Sequence, residues 1–278
     1  AARSSAGSSS GGMSIEEKQT KMTLSVEKIR FSYDTNPVLE DVSLDFKEGL
    51  FYSILGPNGC GKTTLMDILT AHLPPDSGTL LLDGRSPESM TKQAIARKIA
   101  LVSQNHTINF PFTVKEVVMM GRHPYIPRFS PPSEEDIDRV EAVMEKTDII
   151  GLKDRPVTEL SGGEQQRCVF ARALCQNTPF LLLDEAFSNM DINHTLGLLK
   201  TISREVREKK RTIVSVFHDI NLASVWSDRL VFMKNGRIAA AGKTDEVMTE
   251  QTIHELFGVQ ARISYNDYVE AKQVFFKC

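Results

Sequence analysis

Phe51-Tyr52-Ser53-Ile54-Leu55 runs directly into Gly56-Pro57-Asn58-Gly59-Cys60-Gly61-Lys62-Thr63, and this stretch decides the fold. The first part is a short apolar run of strand character. The second has the spacing GxxxxGK(S/T), and a helical stretch follows from Lys62 to about Leu73. The glycines therefore lie between a strand and a helix, the context this spacing requires. They allow backbone N–H groups to close around phosphate oxygens, and the helix N-terminus adds the positive end of its dipole. Lys62 is placed to reach the β- and γ-phosphates of a nucleotide. The Thr63 hydroxyl is placed to ligate Mg2+, with Thr64 beside it. A glycine-rich turn that merely precedes a helix has no need of both Lys62 and Thr63. The stretch by itself implies nucleotide binding and no more.

Outward from this loop, Ile99–Ser103, Phe180–Leu183 and Thr212–Phe217 are three further apolar runs with helical patterns between them. Strands alternating with helices predict an α/β fold, a mostly parallel sheet with helices on its faces. From Met22 to Phe46 the pattern instead has period two, through Leu24, Val26, Val42, Leu44 and Phe46, which predicts an antiparallel β flank. Between Gln104 and Glu159 no strand run occurs. Val114–Gly121 and Glu134–Thr147 read as helices, joined by the proline-rich Pro124–Pro132. This predicts a helical lobe (105–159) inserted into one domain over 22–259, with core segments 22–104 and 160–243. Leu230–Lys234 and Arg237–Ala241 form a hairpin across Asn235-Gly236, a strong turn signal. Residues 244–278 are an appendage that pattern alone does not assign. Ala1–Gly12, small residues and one arginine ahead of Met13, read as a disordered expression linker.

Phe180-Leu181-Leu182-Leu183 ends in two carboxylates, Asp184 and Glu185. Asp184, at the strand tip, is placed to hold Mg2+ beside the phosphate loop. Glu185 points elsewhere and is a candidate to accept a proton from an attacking water. A strand ending in surface charges is common; the loop upstream gives this pair its meaning.

Leu160-Ser161-Gly162-Gly163-Glu164-Gln165-Gln166-Arg167 opens a helix to about Cys175. Ser161 and Glu164 form an S-x-x-E capping box, so a purely structural reading exists. Capping does not require Gly162 and Gly163, and each glycine in a helix costs about 1 kcal/mol against alanine. Bare N–H groups at a helix start suit an anion, so this is a second phosphate-binding element.

LSGGEQQR, about a hundred residues beyond Lys62 and directly before the acidic strand, resembles the signature of ABC-transporter ATPases. The resemblance covers Met22 to about Val259. It implies an ABC ATPase cassette hydrolysing ATP with Mg2+, working as a head-to-tail homodimer. Each ATP would lie between one chain's phosphate loop and Ser161, Gly162, Gly163 and Gln165 of the other, with Asp191 of Ser188-Asn189-Met190-Asp191 reaching the partner's loop. By the same resemblance Tyr33 stacks on adenine. Gln104 senses Mg2+ and the γ-phosphate, His218 contacts the γ-phosphate, and Glu185 is catalytic. The family usually has proline where this chain has Ala186, and leucine where it has Met190. Ala186 frees a φ that proline fixes near about −65°, which bears on how rigidly Glu185 is held.

Met120-Gly-Arg-His-Pro-Tyr125, His218-Asp-Ile-Asn-Leu-Ala223 and the tail around Glu246 to Val259 resemble the branch that serves importers of iron chelates, haem and cobalamin. That branch implies a peripheral homodimer at the cytoplasmic face of the membrane, beneath permease subunits fed by a substrate-binding protein. A net charge of −3 gives no basic field, so nucleic acid is not an expected partner. No run of about 18 apolar residues is present to span a bilayer. Cys60, Cys168, Cys175 and Cys278 show no disulfide-framework spacing. A soluble ABC ATPase for DNA or ribosomes is the competing class, disfavoured by the lack of a coiled-coil insertion or second cassette. A plain phosphate-loop kinase or GTPase gives no reason for LSGGEQQR. Two further expectations concern single segments: an activated Cys60 thiol beside Lys62 at a helix start, and a docking surface for the membrane partner at Ile108-Asn109-Phe110-Pro111-Phe112.

Overall fold

A computed structural model describes residues 22–104, 108, 110–187 and 190–277. The 1–12 linker, Asn109, Ser188, Asn189 and Cys278 lie outside the described residues. In chain order the elements are β1 (Leu24–Tyr33), β2 (Asn36–Phe46), β3 (Phe51–Leu55), α1 (Lys62–Leu69), β4 (Ser77–Leu82), α2 (Lys92–Ala96) and β5 (Ile99–Val102). The lobe contributes α3 (Val114–Met119) and α4 (Glu134–Lys146). Then follow α5 (Gly162–Cys175), β6 (Phe180–Asp184), α6 (Ile192–Lys209), β7 (Thr212–Val216), α7 (Ile220–Trp226), β8 (Arg229–Lys234) and β9 (Arg237–Lys243). The chain closes with α8 (Thr244–Val247), α9 (Glu250–Phe257), β10 (Ala261–Asn266) and β11 (Ala271–Phe276).

The main sheet has the order β5-β6-β7-β3-β8-β9 and is parallel except for the β8–β9 pair. Successive residues along its strands feed cores on opposite faces. Phe51 and Leu55 pack with Leu181 and Leu183 on one side. Tyr52 and Ile54 pack with Phe180 and Leu182 on the other. A parallel sheet covered on both faces needs such continuously apolar strands. The second face is covered by α1 and by an antiparallel sheet of order β2-β1-β4, of which the sequence pattern gave β1 and β2 but not β4. At the β8–β9 turn, Asn235 (φ 49°) and Gly236 (φ 74°) both take left-handed backbone, as a two-residue hairpin of this kind requires.

The lobe is helical as expected, with no strand among its described residues. Val117, Val118, Val140 and Met144 are fully buried, and their cluster continues through Val169 and Phe170 of α5 to Leu183 of the sheet. α5 is thus a wall shared by lobe and sheet. Arg122 pins the lobe from inside: its Nε lies 2.8 Å from Asp136 Oδ1, its Nη1 donates to Cys175 O at 3.1 Å, and its guanidinium covers the Tyr125 ring. The unassigned appendage proves to be two short helices and a hairpin that docks on α7. Asn221 Nδ2 donates to Val274 O (3.1 Å), Val274 N donates back to Asn221 Oδ1 (2.7 Å), and Ser224 Oγ donates to Lys272 O (2.8 Å). These side chains satisfy the edge of β11, which pairs only with β10 in its sheet.

Candidate functional site

Parallel neighbours in the sheet end at the same edge, so the segments leaving β3, β5, β6 and β7 emerge side by side. They carry, in that order, the phosphate loop, Gln104, Asp184 with Glu185, and His218. The crevice at the carboxyl ends of such strands is where this class of sheet binds its ligands. Here a cavity of about 410 Å3 is lined by Asn58, Gly59, Gly61, Lys62, Thr63, Thr64, Gln104, Glu185 and His218, with Val38 at its flank.

The loop's shape depends on its glycines. Gly56 and Gly61 have positive φ (157° and 97°), and a Cβ on Gly56 would meet Met233 O at 2.2 Å. At Gly59 a Cβ would meet nothing within 4 Å, although φ is 76°. That position therefore needs glycine for its backbone conformation alone. The buried Lys62 curls over the loop, its Nζ donating to Gly56 O and Pro57 O at 3.0 Å each. Cys60 is buried, and burial pushes its thiol pKa up despite the opposing Lys62 charge. The expected thiol activation is therefore corrected: desolvation outweighs the helix start and the lysine.

Asp184 ends β6 almost fully buried, and burial pushes its carboxyl up to about 6 against a hydrogen bond from Thr63; the charges of Glu185 and Asp67 raise it further. Its Oδ1 is buried without a hydrogen-bond partner. A desolvated carboxylate oxygen lacking a donor, beside a threonine hydroxyl, fits a hard cation with oxygen ligands. Gln104, the third expected metal contact, instead turns its Nε2 to Glu185 Oε2 at 2.5 Å. His218 Nε2 lies 2.7 Å from Glu185 Oε1. Glu185 has left-handed backbone (φ 51°).

Ser161 N-caps α5, and the expected capping box is present in both directions. Gly162 opens the helix, and a Cβ there would meet nothing within 4 Å, so the cradle is open to solvent. Gln165 turns inward and donates to Val157 O and Leu160 O, bracing the turn that leads into the helix. In this conformation its amide is not presented to the open cradle. Asp191 N-caps α6 and accepts from His194 N and Nδ1. Tyr33 ends β1 half exposed, its ring edge-on to Phe31 at 4.9 Å, and does not line the cavity. The sequence reading missed Gln166, whose buried Nε2 donates to Ala186 O at 2.8 Å. Its place within LSGGEQQR was visible; its partner twenty residues away was not.

Residues 39–188 match the family described as ABC transporter. The ferric enterobactin transport ATP-binding protein of Escherichia coli is 36% identical over 237 residues, covering 85% of this chain and 88% of that one. The petrobactin import ATP-binding protein of Bacillus subtilis is 34% identical over 242 residues, covering 87% and 95%. The cobalamin import ATP-binding protein of Halobacterium salinarum is 36% identical, and this chain spans 60% of its length. Among solved structures, an inward-facing transporter assigned to the metal-chelate type aligns with a TM-score of 0.78 at 25% identity, covering 92% of this chain and 97% of that one. A dimeric bacterial ABC transporter cassette aligns with a TM-score of 0.73 at 27% identity, covering 80% and 98%.

Proposed function

This chain belongs to the ABC transporter family, and from that premise we propose that it is the ATP-hydrolysing subunit of an importer for an iron chelate, haem or cobalamin. The observation that carries the chemistry is the grouping of Gln104, Glu185 and His218 at the mouth of the phosphate loop. The substrate class is supported by the relatives, named for ferric enterobactin, petrobactin, cobalamin and hemin.

In this reading the phosphate-loop amides and Lys62 hold the β- and γ-phosphates. Thr63, Asp184 and Gln104 would hold Mg2+, which neutralises charge on the transferring phosphoryl group. Glu185 takes the proton of the attacking water. Gln104 and His218 bind the Glu185 carboxylate. A γ-phosphate competes for the same two donors and frees the carboxylate for water. Tyr33 stacks on adenine after a shift of its exposed ring.

The site is half of a pair. Ser161, Gly162 and Gly163 form an open anion cradle on the same chain, and a second copy, with Asp191 at its contact, completes each ATP site. The dimeric cassette among the structural neighbours supports this assembly. No described helix is long and apolar enough to cross a membrane. By analogy with the transport and import ATP-binding relatives, the pair would sit at the cytoplasmic face beneath a separate permease. Cargo would come from a substrate-binding protein. Phe110 is 68% and Phe112 39% exposed, which favours docking over packing inside the lobe. The decisive experiment is reconstitution in vesicles with candidate permease subunits, selected by co-purification with this chain. ATP-dependent uptake of a ferric chelate, haem or cobalamin is expected. Uptake of an unrelated solute, or failure to bind any permease, overturns the reading.

A further inference from the structure

We infer that Gln166 is a positioning residue for Glu185, joining the helix that begins at the signature glycines to the carbonyl of the residue after the general base. The inference rests on the reading of Glu185 as that base. Three observations converge on it. Glu185 holds a left-handed φ of 51°. For a residue other than glycine such backbone costs about 1–3 kcal/mol and persists only where neighbours impose it. Residue 186 is alanine, so no proline ring fixes the next φ, and the restraint must come from packing and hydrogen bonds. Both are present: Ala186 is fully buried, and its carbonyl accepts the Gln166 Nε2–H at 2.8 Å inside the core.

Gln166 is itself 2% exposed and lies in the second turn of α5. The first turn, from Ser161, presents the open anion cradle. One helix would therefore meet a partner's nucleotide at its tip, and a turn later it holds the Ala186 carbonyl next to Glu185 of its own chain. A displacement of the tip moves the Gln166 amide with it. The Ala186 carbonyl must follow or lose its donor, and an unsatisfied buried carbonyl is costly. Occupancy of one composite site would thus set the base of the other.

The test uses the full chain with Mg-ATP. Gln166→Met removes the donor at nearly constant volume, and Gln166→Glu keeps the shape but changes the hydrogen-bonding group. Both are measured for ATP Kd, kcat and KM. The expected result for Gln166→Met is a kcat at least about tenfold lower, since a shift of about 1 Å at a reacting group can cost about 100-fold. Kd and KM should stay within about threefold. In the Glu185→Gln background the same substitution should cost nothing further, because both act through one group. The inference is overturned if a variant with wild-type ATP affinity keeps kcat within about twofold, if kcat and affinity fall together, if the two substitutions multiply, or if neither variant binds ATP. Glu185→Gln alone separates the two readings. If that variant keeps wild-type turnover, the base assignment fails; if it is inactive while Gln166→Met is not, only the positioning role fails.

Discussion

His218 Nε2 stands 2.7 Å from Glu185 Oε1, so the proposed γ-phosphate sensor and the proposed base hold each other. Because Gln104 takes the other carboxylate oxygen, the base is engaged from both sides.

Glu185→Gln should therefore abolish turnover without impairing ATP binding. Removing a positioned base typically costs about 100- to 10,000-fold in rate. The variant should accumulate as an ATP-bound dimer, read by size-exclusion chromatography with and without ATP. Turnover within a few-fold of wild type would exclude the role.

Gly162→Ala separates folding from function at the cradle. A Cβ there has open space, and Gly162 is not at positive φ. The substitution should leave stability unchanged or raise it by up to about 1 kcal/mol, through the helix preference for alanine. ATPase activity should fall at least about tenfold, because the added methyl occupies the face offered to the partner's nucleotide. Thermal denaturation and steady-state hydrolysis measure the two effects. Wild-type activity would show that this face takes no phosphate.

Replacing Phe110 and Phe112 together with serine should spare thermal stability and the basal ATPase of the isolated subunit, since both rings are exposed. Permease assembly or transport should fail. Unfolding, or normal assembly with normal transport, would remove these rings from the docking surface.

Arg122 and Asp136 give the lobe an acid-sensitive anchor. Burial alone would raise the Asp136 carboxyl, but hydrogen bonds from Arg122 and Ser133 and the Arg122 charge outweigh it and hold the pKa below the usual carboxylate value. A depressed folded-state pKa contributes stability that is present above the unfolded value of about 3.9 and lost as pH falls through the folded one. Asp136→Asn should therefore be less stable than wild type near neutral pH, and the gap should close as pH falls through that lower pKa. Arg122→Met should cost about 3–5 kcal/mol near neutral pH, the range for breaking a buried pair. Denaturant titrations at several pH values test both, and a gap independent of pH would show that the pair does not titrate as described.

The chemistry-bearing segments were legible in the sequence because each meets a local demand. Gly56 and Gly61 answer a turn with positive φ, Ser161 and Glu164 a helix start, and Asn235-Gly236 a two-residue hairpin. The apolar runs ending at Leu55, Leu183 and Phe217 gave the buried strands nearly to the residue, because a sheet covered on both faces leaves no room for polar alternation. The strand order β5-β6-β7-β3 is not written in any of those runs. It alone brings Gln104 to Glu185, 81 residues later in the chain, and sets His218 beside them. The same holds for Gln166 with Ala186, and for Asn221 with the backbone of Val274, which gave the appendage its place. The burial of Cys60 likewise reversed what its sequence neighbours implied. Local motifs report the conformation a segment needs; desolvation and pairing between distant segments exist only once the sheet has closed on both faces.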